Sequence, residues 1–374
     1  MDNFDLPQLE YDADWINDAR IVVMGIGGGG TNALNYMIQK GIEGVITVAA
    51  NTDSQHLEQS LAEHKLHLGK SSSKGHGAGA NPEKGRKAAE ESIDEIKELL
   101  TGVDILILSA GMGGGTGTGA SPVIAKVARE LGILTIAVVT KPFKAEGPAK
   151  MKKALKGIEE LRKYVDSLIV ISNDKLLKEK SNKRIGISQM FSLADDILYK
   201  TVKSFVDVIR KPGYINVDLE DIRTVLKESG QAIIGEGTGR GENRAMEAVK
   251  KAINNPLLDI ESNRSVVRGA KKILLNIETS NDENYELTGE ELNRIMESVM
   301  TEATSGHTGI EPEMIFGVSK SDDLEDEVRV IIIAAGIEDR RRAYSSRGAA
   351  RKVQETKRRF PISEEEEENR EWQA

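Results

Sequence analysis

The chain has 374 residues, which at ~150 residues per domain means two domains, or one large domain with an appendage. Apolar residues make up 39% and charged residues 30%, enough for a sizeable core, so wholesale disorder is excluded. A net charge of -9 argues against a general nucleic-acid binder, and the absence of cysteine excludes disulfides, thiolate catalysis and cysteine-ligated zinc.

Residues 1–18 read as an acidic, poorly ordered lead-in without the basic-then-apolar pattern of a signal peptide. From Arg20 short β-branched runs alternate with amphipathic stretches. Strands are predicted at 21–24, 45–49, 103–109, 133–139 and 168–171, with helices at 32–39, 82–100, 122–131 and 150–164. Asn81 as cap and Pro82 as first helical residue open the second of these helices. Strands each followed by a helix indicate a Rossmann-like parallel sheet covered on both faces. A long helix over 188–210 ends before Pro212-Gly213. Helices at 219–228, 242–253 and 289–301, with strands at 232–235, 272–277 and 328–334, then indicate a mixed α+β domain.

The expected organisation is a lead-in (1–18), a nucleotide domain (19–187), a central connecting helix (188–212), an α+β domain (213–337) and a charged tail (338–374). The tail is rich in lysine and arginine over 339–359 and carries five glutamates at 364–368, so it is expected to be disordered when free. The longest apolar runs, 103–108 and 328–337, fall far short of the ~20 residues that span a bilayer. A soluble, cytoplasmic protein without direct membrane insertion is expected. The five histidines include no HExxH pair and read as surface or loop residues.

Two glycine loops carry the chemistry. Gly25-Ile26-Gly27-Gly28-Gly29-Gly30-Thr31-Asn32 satisfies GxGxxG between a strand and a helix. Gly111-Met112-Gly113-Gly114-Gly115-Thr116-Gly117-Thr118-Gly119 is denser still, with six glycines in nine residues. Each glycine costs ~0.5–1 kcal/mol relative to alanine, and a plain turn needs one or two. Close backbone approach to phosphates explains the density better than a flexible turn. A P-loop fails, because His64 stands where Gly69-Lys70-Ser71 would require glycine. An NAD-dependent Rossmann oxidoreductase, with Glu43 on the ribose, would use the first loop and leave the second unexplained.

The second loop resembles the GTP-binding signature of the tubulin/FtsZ family, and the surroundings resemble its bacterial FtsZ branch more than tubulin. The supporting stretches are Asn51-Thr52-Asp53, Gly77-Ala78-Gly79-Ala80-Asn81-Pro82-Glu83, Thr140-Lys141-Pro142-Phe143, Asn173-Asp174-Lys175-Leu176-Leu177 and Asn216-Val217-Asp218-Leu219-Glu220-Asp221. They occur in family order across about 20–337. The resemblance implies the tubulin/FtsZ fold and binding of GTP and GDP. It also implies Mg2+ held through phosphates and water rather than by protein ligands, with K+ a further candidate.

By the same resemblance Gly27, Gly28, Gly29, Gly30, Thr31 and Asn32 would hold phosphates. So would Gly111, Gly113, Gly114, Gly115, Thr116, Gly117, Thr118 and Gly119. Ala78, Gly79 and Ala80 would sense the γ-phosphate, and Asn51, Asp53 and Pro142 would line the pocket. Glu146 would bind ribose, Asn173 and Phe191 would meet guanine, and Asp196 would accept its N1 and N2 protons. Without the resemblance, Phe191 and Asp196 read as a core aromatic and a solvated acid on a helix. Lys150 stands where the family commonly has arginine, which keeps the charge and loses the planar fork.

Asp218 and Asp221, with Asn216, match the family's catalytic loop, where they would orient the attacking water in the next subunit's pocket. On local grounds alone Asp218 is a helix cap and Asp221 a favourable first-turn acid. A site split between subunits implies a head-to-tail homopolymer, here a GTP-hydrolysing filament of the division ring at mid-cell. Membrane-anchor and regulator proteins of that ring would dock on the tail, where Arg358-Arg359-Phe360-Pro361-Ile362 faintly echoes a docking peptide. The alternatives are the oxidoreductase, a GTP-binding module without catalysis, and a filament of the superfamily with a role outside division.

Overall fold

The computed structural model describes residues 19–179, 186–211, 213–254, 265–305 and 311–337. Its organising strand is β1 (Ile21–Ile26), buried along its whole length. Alternation sends Ile21 and Val23 to one face, and Val22, Met24 and Ile26 to the other. After β1 come α1 (Gly27–Gln39), β2 (Ile46–Asn51), α2 (Ser54–Glu58), β3 (His64–His67), α3 (Lys70–Ser73), α4 (Pro82–Glu91), α5 (Ile93–Leu100) and β4 (Ile105–Gly111). Next are α6 (Thr116–Glu130), β5 (Leu134–Lys141), α7 (Pro148–Leu161), β6 (Ser167–Ser172) and α8 (Asn173–Glu179).

These six strands are all parallel, in the order β3-β2-β1-β4-β5-β6. Both faces are covered, as near-continuous apolar strands require. On one, Ala33, Leu34 and Met37 of α1 pack with Ala194, Ile197, Val202 and Phe205 of α9 (Ile187–Arg210). On the other, Ala88, Ile96, Ile124 and Ile158 bring in α4 to α7.

Beyond α9 lie β7 (Gly213–Ile215), α10 (Leu219–Leu226), β8 (Gly230–Arg240), α11 (Arg244–Ile253), β9 (Lys272–Ser280), α12 (Gly289–Thr304), β10 (Glu313–Ser321) and β11 (Glu327–Ala335). Two rungs, Ser167↔Gly230 and Leu168↔Gln231, join β6 to this mixed sheet, whose order is β8-β11-β9-β10-β7. The last turn of α9 is fastened to it by ions. Lys211 donates to both oxygens of fully buried Glu278 at 3.1 and 3.0 Å, and Arg329 donates to Glu278 at 2.8 Å. Removing either cation leaves a buried charge short of a partner, a change that costs several kcal/mol in typical cases. The loop after α9 therefore hangs from a fixed point.

The expected α/β architecture is borne out, with local differences. The helix over 82–100 breaks at Ser92, whose hydroxyl instead accepts the Gly69 N–H at 3.0 Å. The strand expected at 232–235 runs to Arg240, because Gly235, Gly237 and Gly239 let α11 lie directly against its backbone. The lead-in 1–18 and the tail 338–374 lie outside the described residues. Among the described residues no helix is long and apolar enough to cross a membrane.

Candidate nucleotide site

Strands β1 and β4 are parallel neighbours in register, with Gly25 opposite Ser109 and Ile26 opposite Ala110. Each leads at once towards a helix: α1 begins at Gly27 and α6 at Thr116. The helices start earlier than 32 and 122, so part of each expected loop is a first helical turn. Two helix N-termini with unpaired N–H groups thus open side by side at the C-terminal edge of the sheet, a ready anion site.

The glycines have two physical causes. Most let backbone meet backbone: a Cβ on Gly30 would collide with the Ser109 carbonyl, and one on Gly119 with the Pro82 carbonyl. A Cβ on Gly27 would lie 2.7 Å from the Gly117 nitrogen, so the two loops touch directly. Gly27 (φ 69°) and Gly113 (φ 104°) also need the left-handed conformation that glycine adopts freely. Gly114 and Gly79 instead have nothing within 4 Å and face open space. Glycine density therefore records loop packing as much as ligand approach.

Polar groups converge on the same edge. The hydroxyls of Thr52 and Thr116 are hydrogen-bonded at 2.7 Å, and the Gly113 N–H is taken by Thr118 Oγ1 at 2.8 Å. Asn51 turns the chain, its Oδ1 accepting the Thr52 N–H at 2.9 Å and the Asp53 N–H at 3.3 Å. Asp53 caps α2 by accepting the His56 N–H at 3.1 Å, and His56 Nε2 reaches Asn32 Oδ1 at 2.9 Å. Among the described residues, the buried atoms without a partner include Thr31 Oγ1, Asn51 Nδ2, Ser109 Oγ and Asn173 Oδ1 at this edge. Buried polar atoms are seldom left so, and a polar ligand in the cleft would satisfy them.

On the base side Phe143 and Phe191 meet edge to face, with centroids 5.6 Å apart and planes at 88°. Phe191 remains 48% exposed, so one side of the pair is open. Pro142 is buried beside Phe143. Glu146 accepts the Phe143 N–H at 2.8 Å through Oε1 and pairs with Lys150 through Oε2. Lys150 also leans on the glycine loop, its Cγ 2.8 Å from where a Gly113 Cβ would sit. Its cation is thus engaged with the expected ribose ligand.

Each oxygen of Asp196 has a partner. The Tyr36 hydroxyl donates to Oδ1 at 3.1 Å and Lys200 pairs with Oδ2 at 2.9 Å. Burial, then the bond to Asp196, raises the Tyr36 pKa. The adjacent Asp195 accepts no hydrogen bond from any described residue, and burial alone pushes its carboxyl up to about 6. Four residues after Phe191, Asp195 sits one turn along the same face of α9. Asp196, the residue expected to meet the base, lies one position further round the helix.

Ala78, Gly79 and Ala80 form a tight loop, with the Asn81 N–H donating to the Ala78 carbonyl at 3.0 Å. Ala80 has φ 56°, a left-handed conformation that costs an alanine ~1–2 kcal/mol. Asn216, Asp218 and Asp221 lie elsewhere. Asn216 accepts the Gly213 N–H at 2.8 Å, while Asp218 and Asp221 form a reciprocal capping box on α10, with bonds of 2.8 and 3.0 Å. The local reading of Asp218 as the helix cap and Asp221 as a first-turn acid therefore holds. Helix α9 separates them from Phe191: its rise from Phe191 to Arg210 is roughly 30 Å. Among the described residues no group of histidines and acids could hold a metal ion.

Residues 20–180 match the model of the tubulin/FtsZ family GTPase domain, and 230–338 that of the FtsZ family C-terminal domain. The chain is 46% identical to cell division protein FtsZ of Aquifex aeolicus over 321 residues, 86% of this chain and 84% of that one. It is also 46% identical to the FtsZ of Caulobacter vibrioides over 319 residues, where it spans 60% of the longer relative. Among solved structures, an FtsZ dimer from M. jannaschii superposes with a TM-score of 0.75 at 39% identity, covering 86% of this chain and 90% of that one. CetZ2 from Haloferax volcanii, at 19% identity, a TM-score of 0.69, and 90% and 99% coverage, shares the fold. These matches leave the oxidoreductase alternative without support. The chain belongs to the FtsZ family, and it is a guanine-nucleotide-binding GTPase of the tubulin/FtsZ type.

Proposed function

We propose that this chain assembles head to tail into a GTP-dependent filament, hydrolyses GTP where two subunits meet, and scaffolds the division ring at mid-cell. The observation that carries this reading is the separation between the cleft and the Asp218–Asp221 loop. An acid at the far end of α9 cannot reach a phosphate in its own cleft, whereas a neighbour stacked along that axis brings one loop to the next pocket. Such a heterologous contact repeats into an open polymer. The dimeric relative from M. jannaschii supports self-association.

Within the pocket, the N-termini of α1 and α6 would receive the phosphates, with Thr31, Gly114 and Thr116 among the contacts. Thr52 would hold the Thr116 hydroxyl in place. The loop of Ala78, Gly79 and Ala80 would meet the γ-phosphate, Asn51 and Asp53 would fix the neighbouring turn, and Lys150 would orient Glu146 towards ribose. Phosphoryl transfer depends mainly on positioning and charge stabilisation. Mg2+ carried on the phosphates would supply charge neutralisation, with K+ a candidate assistant. Asp218, Asp221 and Asn216 would orient and polarise the attacking water.

For the base, this reading assigns guanine N1–H and N2–H to Asp195, one turn from Phe191 on α9, instead of Asp196, which is engaged with Tyr36 and Lys200. A carboxyl titrating at about 6 then makes binding pH-dependent. Only the ionised form accepts both protons, so GTP affinity should fall by up to about tenfold per pH unit below 6. Stability of the free protein runs the other way. The folded form holds the proton up to about 6 and the unfolded form only to about 3.8, so this group's contribution is lost as pH rises through that window. Isothermal titration at pH 7, 6 and 5 checks the binding; a flat profile removes Asp195 from the base contact.

The domain division at 19–187, 188–212 and 213–337, and a tail that recruits anchor and regulator proteins, belong to the same proposal. Sedimentation with GTP against GDP tests the whole. Polymer should pellet with GTP, and turnover per subunit should be near zero when dilute and rise above a threshold concentration. A GTPase rate independent of concentration would overturn the shared site.

A further inference from the structure

We infer that Lys153 is a positioning residue that holds the Ala78-Gly79-Ala80 loop in the shape that favours a triphosphate. The inference deepens the reading of the cleft as the GTP site and rests on it. Two of the four lysines on helix α7 have different duties. Lys150 binds Glu146, and Lys153, one turn on, donates from Nζ to the Ala80 carbonyl at 2.7 Å. The ends of the loop are fastened by backbone: Gly77 N–H donates to the Thr52 carbonyl at 3.2 Å, and Asn81 N–H to the Ala78 carbonyl at 3.0 Å. Its outer part is different. Gly79 has nothing within 4 Å of its Cβ position, and Ala80 holds a left-handed φ of 56° that alanine avoids. Among the described residues, Lys153 supplies the one side-chain hydrogen bond to the Gly79–Ala80 backbone.

A strained residue persists where its surroundings over-determine it. Here a charge-assisted bond offsets the strain and fixes the direction of the Ala80 peptide. Without it the loop can relax out of the left-handed region, and its amides no longer point one way. The loop also packs on the second glycine loop, since a Gly115 Cβ would lie 2.7 Å from Ala78 Cβ and 3.0 Å from the Asn81 nitrogen. The tether therefore bears on the third phosphate more than on the base, ribose or first two phosphates, which other elements hold. The consequence is a selective loss of GTP, with GDP spared.

The test titrates fluorescent GTP and GDP separately onto the full chain, below the concentration at which it pellets. Lys153→Met keeps the stem and the helix propensity and removes the donor. GTP affinity should fall about tenfold, the size of one charge-assisted bond, while GDP affinity stays within twofold. Lys153→Arg should restore GTP binding, and Ala80→Gly combined with Lys153→Met should recover part of the loss by removing the strain. A merely structural lysine would weaken both nucleotides together. Equal losses, or no loss on either, overturn the inference. A parent protein that binds neither nucleotide overturns the site reading, and this inference with it.

Discussion

Asp221→Asn should bind GTP and form filaments like the parent, yet hydrolyse at least about a hundredfold more slowly, the usual scale for losing a group that handles the attacking water. Asparagine is chosen because Asp221 has a second job. Its carboxylate accepts the Asp218 N–H at 3.0 Å while its own N–H donates to Asp218 at 2.8 Å. Alanine would remove that cap and cost ~1 kcal/mol of stability, mixing a folding defect with a catalytic one. Asparagine keeps an acceptor for the cap and removes the charge, so a fall in turnover with unchanged thermal unfolding isolates the chemistry. If hydrolysis weakens the filament, filaments of the variant should also outlast the parent's after GTP is limited. Parental turnover in Asp221→Asn would mean that the carboxylate only caps α10.

Much of this arrangement was legible before any coordinates. The runs at 21–24, 103–109 and 133–139 are apolar on both faces, which suits strands covered twice, and glycine-rich segments followed two of them. What escaped has identifiable causes. Strand β3 reads His-Lys-Leu-His, a polar edge with a single buried residue. The apolar pattern of strand β10 is broken by Gly317, where a side chain would strike Val217 Cγ2 at 2.7 Å; the glycine makes room for the loop that leads into α10. Ser92 ends a helix with no glycine or proline beside it, because its hydroxyl is drawn to Gly69, a contact across 23 residues. His56 read as a surface residue, and its bond to Asn32 needs the fold to appear. Helical spacing from Phe191 favours Asp195 over Asp196. What only the fold adds is Tyr36, 160 residues away from Asp196 in sequence, donating to Asp196.

That choice leads to the second large effect. Asp195→Asn should lower GTP affinity between about tenfold and a hundredfold, because the new amide N–H faces the guanine amino group and leaves donors unpaired in a buried site. Xanthine carries an oxygen where guanine carries that amino group, and keeps the N1 proton. The asparagine amide can donate to the oxygen and accept from N1–H, so XTP should become the preferred nucleotide. Asp196→Asn serves as control: it disturbs Tyr36 and Lys200 and should leave the preference for GTP intact. The switched variant also makes the split site directly readable. Given both GTP and XTP, Asp195→Asn alone should release XDP, and Asp221→Asn alone should release almost nothing. In an equal mixture, Asp221→Asn subunits hold GTP in intact pockets, and half of their neighbours are Asp195→Asn subunits with an intact Asp221. GDP should therefore appear at about a quarter of the parental rate, as random head-to-tail neighbours dictate. If each chain completed its own pocket, the mixture would release no more GDP than the two variants measured apart.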